Sequence, residues 1–335
     1  MTDLVTFEVT LCVLSFVLFV INILQLSVYI CRHRKYLREY NEGYVSEKSW
    51  KRAIMSSISY TLFLLFDGLF SLSQKYSDTF NYSVIFIFNC SQATLWHLGQ
   101  LFVYLYLLNR IRNDFKDTKY SINQRTVNAI YSLLVLDMIT YVATFVILLH
   151  RYIKKNGRSN DAASLSTYGD NLIIGIFDMV ISLIILSIYV SKLCKIGEDI
   201  YDNYSMEMDT LKTRKDTDLS SIISAKQGFE DKRDDISGKA SKIIILGIIM
   251  IVISQIVYIL GLFRSPKFEK NIQSIYGIIK VIHSCITPTL IVMGFPFMDS
   301  CYKCCCNRFD NCVKIYFMGK VEPESYHDRQ YSLMR

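Results

Sequence analysis

The chain has 335 residues, of which 51% are hydrophobic and only 20% are charged. Soluble domains carry about 25% charged residues, and a positive mean hydropathy of +0.26 is uncommon among them. With 14 glycines and 4 prolines, the composition also excludes collagen-like, loop-rich and disordered chains. The net charge of +7 must therefore be considered along the chain before it says anything about partners.

Seven segments approach or exceed the roughly 20 mostly apolar residues that a helix needs to cross a bilayer. Their isoleucine, leucine, phenylalanine and valine residues lack the alternation of a lipid-facing β-barrel strand. We therefore predict an all-α membrane protein, with a seven-transmembrane helix bundle over 1–297 and a tail over 298–335. The predicted spans are 4–31, 53–72, 83–108, 127–149, 171–194, 241–264 and 271–297.

The positions of the basic residues predict the direction of insertion. Most of the 37 lysines and arginines follow the first, third, fifth and seventh spans, and none precedes the first span. By the positive-inside rule, the amino terminus lies outside and the carboxyl terminus is cytoplasmic. The long connection 195–240 is then a cytoplasmic loop, interpreted either as a partner-docking surface or as a solvated linker.

Half of the ten cysteines are clustered just after the last predicted span. A zinc site would need separated pairs of ligands, and disulfides are rare in the reducing cytoplasm. Cysteines on a juxtamembrane amphipathic segment are typical of palmitoylation, with zinc ligation and unmodified thiols as the alternatives. We expect a short amphipathic helix over 299–317 along the inner leaflet. The predicted lipidation sites are Cys301, Cys304, Cys305 and Cys306.

Ionisable side chains inside the spans are candidate functional groups, because burying a charge in hydrocarbon is costly. Asp67, Asp178 and Lys280 lie at similar predicted depths in the outer half of the bilayer, at about 1.5 Å per helical residue. Together they would form the floor of a pocket open to the outside, with the two carboxylates balancing the lysine. The alternatives are an internal structural ion pair and a Lys280 that extends outward to water.

A second polar layer is predicted nearer the middle of the membrane. His97 and Gln100 are one turn apart on the third span, Asp137 lies at a similar depth on the fourth, and His283 follows Lys280 on the seventh. A buried histidine here is either a pocket residue or a hydrogen-bonded interior residue. The predicted ligand pocket comprises Asp67, His97, Gln100, Asp178, Lys280 and His283.

The predicted topology, the long fifth-to-sixth loop and the cysteine-rich segment resemble a G-protein-coupled receptor. Asn109-Arg110-Ile111 stands where the rhodopsin-like class has Asp/Glu-Arg-Tyr. Asn22 and Asp67 resemble the paired polar positions of the first two helices in that family, and an interhelical hydrogen bond to Asp67 is one option for Asn22. The resemblance implies a receptor that couples to a G protein.

The seventh span carries two further points of comparison. Thr287-Pro288 stands where the family has Asn-Pro, whereas 150–170 has no cysteine for the usual disulfide. Visual-type opsins hold retinal on a helix-seven lysine that lies seven residues before the proline. Here Lys280 lies eight residues before Pro288, which is about 100° out of phase on a helix. Retinal on Lys280 is therefore an alternative that the spacing opposes; no other cofactor is expected.

The sequence thus favours a plasma-membrane receptor for a small or lipidic ligand, because the predicted outer loops are short. We expect it to signal through a heterotrimeric G protein or another cytoplasmic signalling protein. The alternative is a proton- or cation-coupled transporter or channel. No catalytic motif, metal-ligand spacing or nucleic-acid partner is predicted, so an enzyme is not expected. The predicted partner-coupling residues are Arg110, Arg112, Lys212, Arg214 and Lys215.

Overall fold

The computed structural model of the chain is helical throughout its described part and contains no strand there. These described residues divide into two compact units, one within Met1–Ile185 and Ile249–Phe297, the other within Leu186–Ile248 and Met298–Arg335. The described residues are 2–39, 47–76, 79–114, 121–154, 175–192, 194–195, 242, 245–260 and 270–304.

Seven long α-helices, numbered in chain order, account for nearly all of the described residues. A short 3₁₀ turn, Pro296–Met298, follows the last of them. The helices are α1 Thr2–Glu39, α2 Glu47–Lys75, α3 Tyr82–Asp114, α4 Gln124–Lys154, α5 Gly175–Lys192, α6 Ile245–Leu260 and α7 Lys270–Met293.

Asparagine caps set the starts of α3 and α4. The Oδ1 atom of Asn81 accepts the backbone N–H of Ser83 at 3.2 Å, and Oδ1 of Asn123 accepts that of Arg125 at 2.9 Å. The first turn of a helix leaves its N–H groups without intrahelical acceptors, and asparagine supplies one. These two residues therefore mark where the connecting segments end and the helices begin.

The helices expose apolar side chains and bury polar ones, the reverse of a water-soluble bundle. Val13, Val20 and Leu24 on α1 keep 55%, 54% and 62% of their surface exposed, and Val135 and Ile139 are similarly exposed on α4. Continuous apolar faces of this kind indicate contact with lipid. The buried polar side chains include Asn22, Ser56, Asp67, His97, Asp137, Asp178 and His283.

Five helices are long and apolar enough to cross a membrane: Val9–Glu39, Glu47–Lys75, Gln124–Ile147, Gly175–Lys192 and Ile275–Met293. The remaining two, α3 and α6, differ from these in composition or length. Polar side chains interrupt α3, and the described part of α6 is apolar but shorter. The chain is thus an integral membrane protein by the composition of these helices, while the seven-span count and the direction of insertion stay predictions.

Small residues allow α2 to pack closely against α1 and α3. Gly68 of α2 lies against the ring of Phe16, where a Cβ atom would approach ring carbons at 3.2 Å. Gly99 of α3 lies against the ring of Tyr60, and a Cβ there would approach it at 2.9 Å. Ser56 Oγ donates to the Gly99 carbonyl oxygen at 3.1 Å. These contacts place α2 beside α1, α3 and α7 in the first unit.

The α1–α7 seam, formed by Asn22, Gln25 and Tyr29 with Ser284 and Thr289, joins α1 to α7. Tyr29 donates to Thr289 Oγ1 at 3.2 Å, and Thr289 donates to Oε1 of Gln25 at 3.1 Å. Asn22 Nδ2 donates to the carbonyl oxygen of Ser284 at 3.3 Å.

The Asn22 bond has a specific cause in the backbone of α7. Pro288 lies inside this helix and has no N–H. The carbonyl of Ser284, four residues earlier, therefore has no intrahelical donor, and Asn22 supplies one across the helix interface. The Asn22–Asp67 hydrogen bond considered from the sequence is not formed. Asp67 Oδ2 instead accepts the hydroxyl of Ser15 at 2.9 Å.

Helix α7 ends at Met293, before the limit of the predicted span 271–297. Gly294 N donates to the Ile291 carbonyl oxygen at 3.1 Å, and the turn then runs into Pro296–Met298. A Cβ on Gly294 would lie 2.5 Å from the hydroxyl oxygen of Tyr106, so a larger residue here would have to displace that hydroxyl. Glycine followed by proline is a common way to end a helix.

Candidate functional site

The ammonium of Lys280 lies among aromatic rings. Its Nζ atom is 4.9 Å from the ring centroid of Phe63 on α2 and 5.5 Å from that of Trp96 on α3. Such positions attract a cation through the negative face of the ring. Among the described residues Lys280 forms no ion pair, so the structure does not bring it against Asp67 or Asp178 as the sequence led us to expect.

The two aspartates instead bind hydroxyl groups. Asp67 accepts from Ser15, as described above. Asp178 on α5 is fully buried and its Oδ2 accepts the hydroxyl of Tyr258, while Tyr104 donates to its backbone carbonyl at 3.3 Å. Oδ1 of Asp178 has no hydrogen-bond partner within the described part of the chain. These carboxyl groups are therefore hydrogen-bonded to neighbouring hydroxyls rather than paired with the lysine.

A buried hydrogen-bond cluster, the His283 junction, joins α3, α6 and α7 through Gln100, Ser254, His283 and Thr287. Nε2 of His283 lies 2.9 Å from Ser254 Oγ, 3.2 Å from Thr287 Oγ1 and 3.4 Å from Gln100 Nε2. Gln100 also donates to Ser254 Oγ at 3.3 Å. The structure thus brings together Gln100 and His283 of the predicted pocket and adds Ser254 and Thr287, which sequence reasoning did not select.

The His283 junction has more neighbours than one ring nitrogen can satisfy. In a neutral imidazole, Nε2 either donates one hydrogen or accepts one. Three polar atoms surround it, so different arrangements of hydroxyl and ring hydrogens compete at this point. Such a cluster can rearrange with little loss of hydrogen bonding.

Four rings, which we name the aromatic box, contact Lys280, His283 or one another: Tyr60, Phe63, Trp96 and Tyr258. Trp96 contacts the rings of Tyr258 at 5.4 Å and His283 at 6.0 Å, and Tyr60 meets His283 at 5.8 Å between centroids. The sequence analysis did not select these rings, although aromatic residues at the depth of a predicted intramembrane lysine are a usable signal.

His97 belongs to a different pair. Its Nε2 atom lies 3.3 Å from Oδ2 of Asp137 on α4, and both side chains are almost completely buried. The imidazole stacks on Tyr141 with centroids 4.3 Å apart, and the Tyr141 hydroxyl lies 2.8 Å from Thr94 Oγ1. The six predicted pocket residues therefore separate into Lys280 with Gln100 and His283, His97 with Asp137, Asp67 with Ser15, and Asp178 with Tyr258.

A ring cluster lies at the end of the first unit that is predicted to face the cytoplasm. His33 stacks on Trp50 at 4.0 Å, and Phe295 stacks on Phe297 at 5.5 Å. The guanidinium of Arg110 lies over Phe295 at 5.9 Å from the centroid. This contact ties the predicted coupling residue on α3 to the segment after α7. The sequence analysis did not predict it.

The other predicted coupling and lipidation residues are only partly within the described chain. Arg112 is exposed near the end of α3, whereas Lys212, Arg214 and Lys215 lie outside the described residues. Cys301 is half-buried and Cys304 is exposed, in residues that continue the chain as helix after the 3₁₀ turn. Cys305, Cys306 and the rest of the predicted segment 299–317 also lie outside the described residues.

In the described part of the second unit, a charged contact lies next to these cysteines. Lys242 donates to Asp299, and its ammonium lies 5.3 Å from the ring centroid of Tyr302. No group of three or more histidine, cysteine or acidic side chains that could hold a metal ion occurs among the described residues.

An apolar groove of about 570 Å³ lies between α3 and α4. Leu101, Leu105, Leu134 and Met138 are among its lining residues, and the exposed Val135 forms part of its rim. None of the predicted ligand-pocket residues lines it. Its apolar surface fits the acyl chains of surrounding lipid.

No protein-family model matches this chain, and neither a curated protein nor a solved structure matches it. Its function must therefore follow from the chemistry of the groups around Lys280, His283 and Arg110.

Proposed function

We propose that the chain is a plasma-membrane receptor that binds a small or lipidic ligand beside Lys280 and signals to a cytoplasmic protein, with a heterotrimeric G protein as the first candidate. Three features support this proposal: a half-buried cation held by rings, an adjustable polar junction, and an arginine at the predicted cytoplasmic end. All three involve α3 or α7.

The His283 junction is the observation that carries the proposal. A ligand drives a receptor only if it binds one of two conformations more tightly than the other. The competing contacts of Nε2 with Ser254, Thr287 and Gln100 give α3, α6 and α7 more than one way to bond at this point. A helix junction with exchangeable partners is suited to two such conformations.

Side-chain spacing on α7 relates this junction to the Lys280 site. Lys280, His283 and Thr287 are three and four residues apart, and side chains at that spacing share one helix face. Farther along α7, the Ile291 carbonyl accepts the hydroxyl of Tyr106 at 3.2 Å. A displacement of α7 by a ligand at Lys280 would thus alter the His283 junction and a contact near its carboxyl end.

Nucleotide exchange on purified Gα subunits tests the receptor proposal. The full chain, reconstituted in nanodiscs, is incubated with a panel of Gα subunits, and we expect it to accelerate exchange on at least one of them. Arg110→Gln should reduce that acceleration roughly tenfold, since contacts to a charged group contribute about 1.5–3 kcal/mol. Arg125→Gln, which alters an exposed arginine at the predicted cytoplasmic end of α4, is the matched control.

Two results would count against the receptor proposal. If no Gα subunit responds or co-purifies, coupling to a G protein is wrong. If Arg110→Gln and Arg125→Gln have equal effects, Arg110 has no special part in coupling.

Transport of protons or cations is the second candidate, favoured by the His97–Asp137 pair. Two ionisable side chains 3.3 Å apart and almost fully buried are typical of proton relays in membranes. Proteoliposome flux driven by a pH gradient tests this, with Asp137→Asn expected to abolish it and Glu39→Gln, at the exposed end of α1, as the control. Absence of flux in the unmodified protein would exclude the transport candidate.

A further inference from the structure

The surroundings of Lys280 contain hydrogen-bond donors without acceptors. Its ammonium is half-buried and has neither a carboxylate nor another hydrogen-bond acceptor among the described residues. Nε1 of Trp96 and the hydroxyl of Tyr60 are buried and have no hydrogen-bond partner there either. Buried polar groups normally find partners, so unpaired donors call for an explanation.

Neither carboxyl oxygen of Asp178 bonds the lysine: Oδ2 accepts the hydroxyl of Tyr258, and Oδ1 has no hydrogen-bond partner among the described residues. The ring of Tyr258 packs against Trp96, the same ring that lies next to the ammonium of Lys280. Ring faces hold a cation more weakly than a hydrogen-bonded anion does in a site with little water. The lysine therefore remains able to bind an added anion.

We propose that Lys280 binds the anionic headgroup of the ligand, a carboxylate or a phosphate, with the aromatic box against the adjoining apolar part. Lys280 donates from its ammonium, and Trp96 supplies a second donor from Nε1. The headgroup belongs either to a membrane amphiphile or to a free small acid, since both carry the same chemistry. This assignment rests on the proposed receptor function and specifies its ligand class.

The two tryptophans of the chain make the site directly observable. They are Trp50, in the ring cluster, and Trp96, beside Lys280. In a Trp50→Phe background, all tryptophan emission comes from Trp96. Binding of an anion by the neighbouring ammonium should change that emission. The full-length variant in non-ionic detergent is titrated with oleate, with oleyl alcohol as its uncharged counterpart, and separately with butyrate and inorganic phosphate.

We expect a saturable response to at least one anion. The response to oleyl alcohol should be at least roughly tenfold weaker, because the alcohol cannot form a charge-assisted hydrogen bond with the ammonium. Saturation by oleate alone identifies a membrane amphiphile, and saturation by butyrate or phosphate identifies a free acid. Lys280→Arg should retain binding. Lys280→Gln should weaken it roughly tenfold or more. Lys75→Gln removes a lysine that lies over the ring of Tyr76 instead, and should leave binding within about twofold.

The proposal is overturned if oleyl alcohol titrates as well as oleate, if no anion gives a saturable change, or if Lys280→Gln binds like the unmodified background. Thermal unfolding of each variant shows whether it is folded, and Lys280→Arg keeps the test valid if Lys280→Gln does not fold. Failure here with intact Gα exchange removes only the ligand class. Anion binding without exchange on any Gα removes coupling to a G protein and keeps the site.

Discussion

Two of the places where polar side chains join helices in the first unit differ in how the hydrogen bonds are assigned. In the α1–α7 seam, Asn22 donates to the Ser284 carbonyl, which has no donor within α7. At the His283 junction, one ring nitrogen lies within hydrogen-bond distance of three polar atoms. The Asn22–Ser284 bond thus has one assignment, whereas the contacts of His283 have several.

This difference indicates which contacts hold α7 in place and which can change. A carbonyl without a donor inside hydrocarbon is costly, so Asn22 and Ser284 must stay together. A hydroxyl that loses His283 can turn to another neighbour, so the junction can change partners at small cost. The same helix is therefore anchored on its α1 side and adjustable on its α3 and α6 side.

The largest expected effect comes from Asn22→Leu. This substitution keeps the size of the side chain but leaves the Ser284 carbonyl without a donor, at a cost of about 1–2 kcal/mol in a membrane helix. The apparent free energy of unfolding in mixed detergent micelles measures it. No loss of stability in Asn22→Leu would mean that the seam is not fixed by this bond.

Pro288→Ala tests whether the proline is the reason that the Ser284 carbonyl needs Asn22 as its donor. Alanine restores a backbone N–H that bonds the Ser284 carbonyl within α7, so Asn22→Leu should cost less than about 0.5 kcal/mol in this background. Gln25→Leu is the control, since its partner Thr289 does not depend on the proline, and its cost should be the same in both backgrounds. Equal costs of Asn22→Leu with and without Pro288 would contradict the assigned cause.

The smallest expected change in stability is that of Ser254→Ala. Thr287 and Gln100 remain beside Nε2 of His283, so the loss should stay below about 1 kcal/mol and below that of Asn22→Leu. The basal rate of Gα nucleotide exchange should nevertheless change, because the balance of arrangements has been altered. The control Ser57→Ala removes a buried hydroxyl that bonds only its own helix, to the Ala53 carbonyl at 2.9 Å. If both variants leave exchange unchanged, the junction is not a switching element.

The helices were predictable because hydrophobic runs of membrane length have few other outcomes. The predicted segment 127–149 lies within α4, which runs over Gln124–Lys154. Hydropathy marks only the apolar part of such a helix, whereas the backbone continues until a cap or a breaker. The asparagine caps at Asn81 and Asn123 were therefore not part of the span prediction.

The partners of the polar residues were harder to predict. Depth along a helix follows from residue number, but the direction in which a side chain points depends on the rotation of each helix. The sequence placed Lys280 level with Asp67 and Asp178, yet its ammonium lies against Phe63 and Trp96. The separation of Lys280 from the two aspartates could be found only from the structure of the described residues.

Helix α1 has 38 residues, so it is a rod of about 57 Å, nearly twice the roughly 30 Å of hydrocarbon in a bilayer. Its last turns carry Arg32, Arg34, Lys35 and Arg38 on the same continuous helix as the apolar part. These charges thus lie at the end of a continuous helix rather than on a loop. A small change in the tilt of α1, which a thinner membrane increases and a thicker one decreases, displaces them far more than it displaces Asn22. A change in membrane thickness would thereby move the basic end of α1 that is predicted to face the cytoplasm.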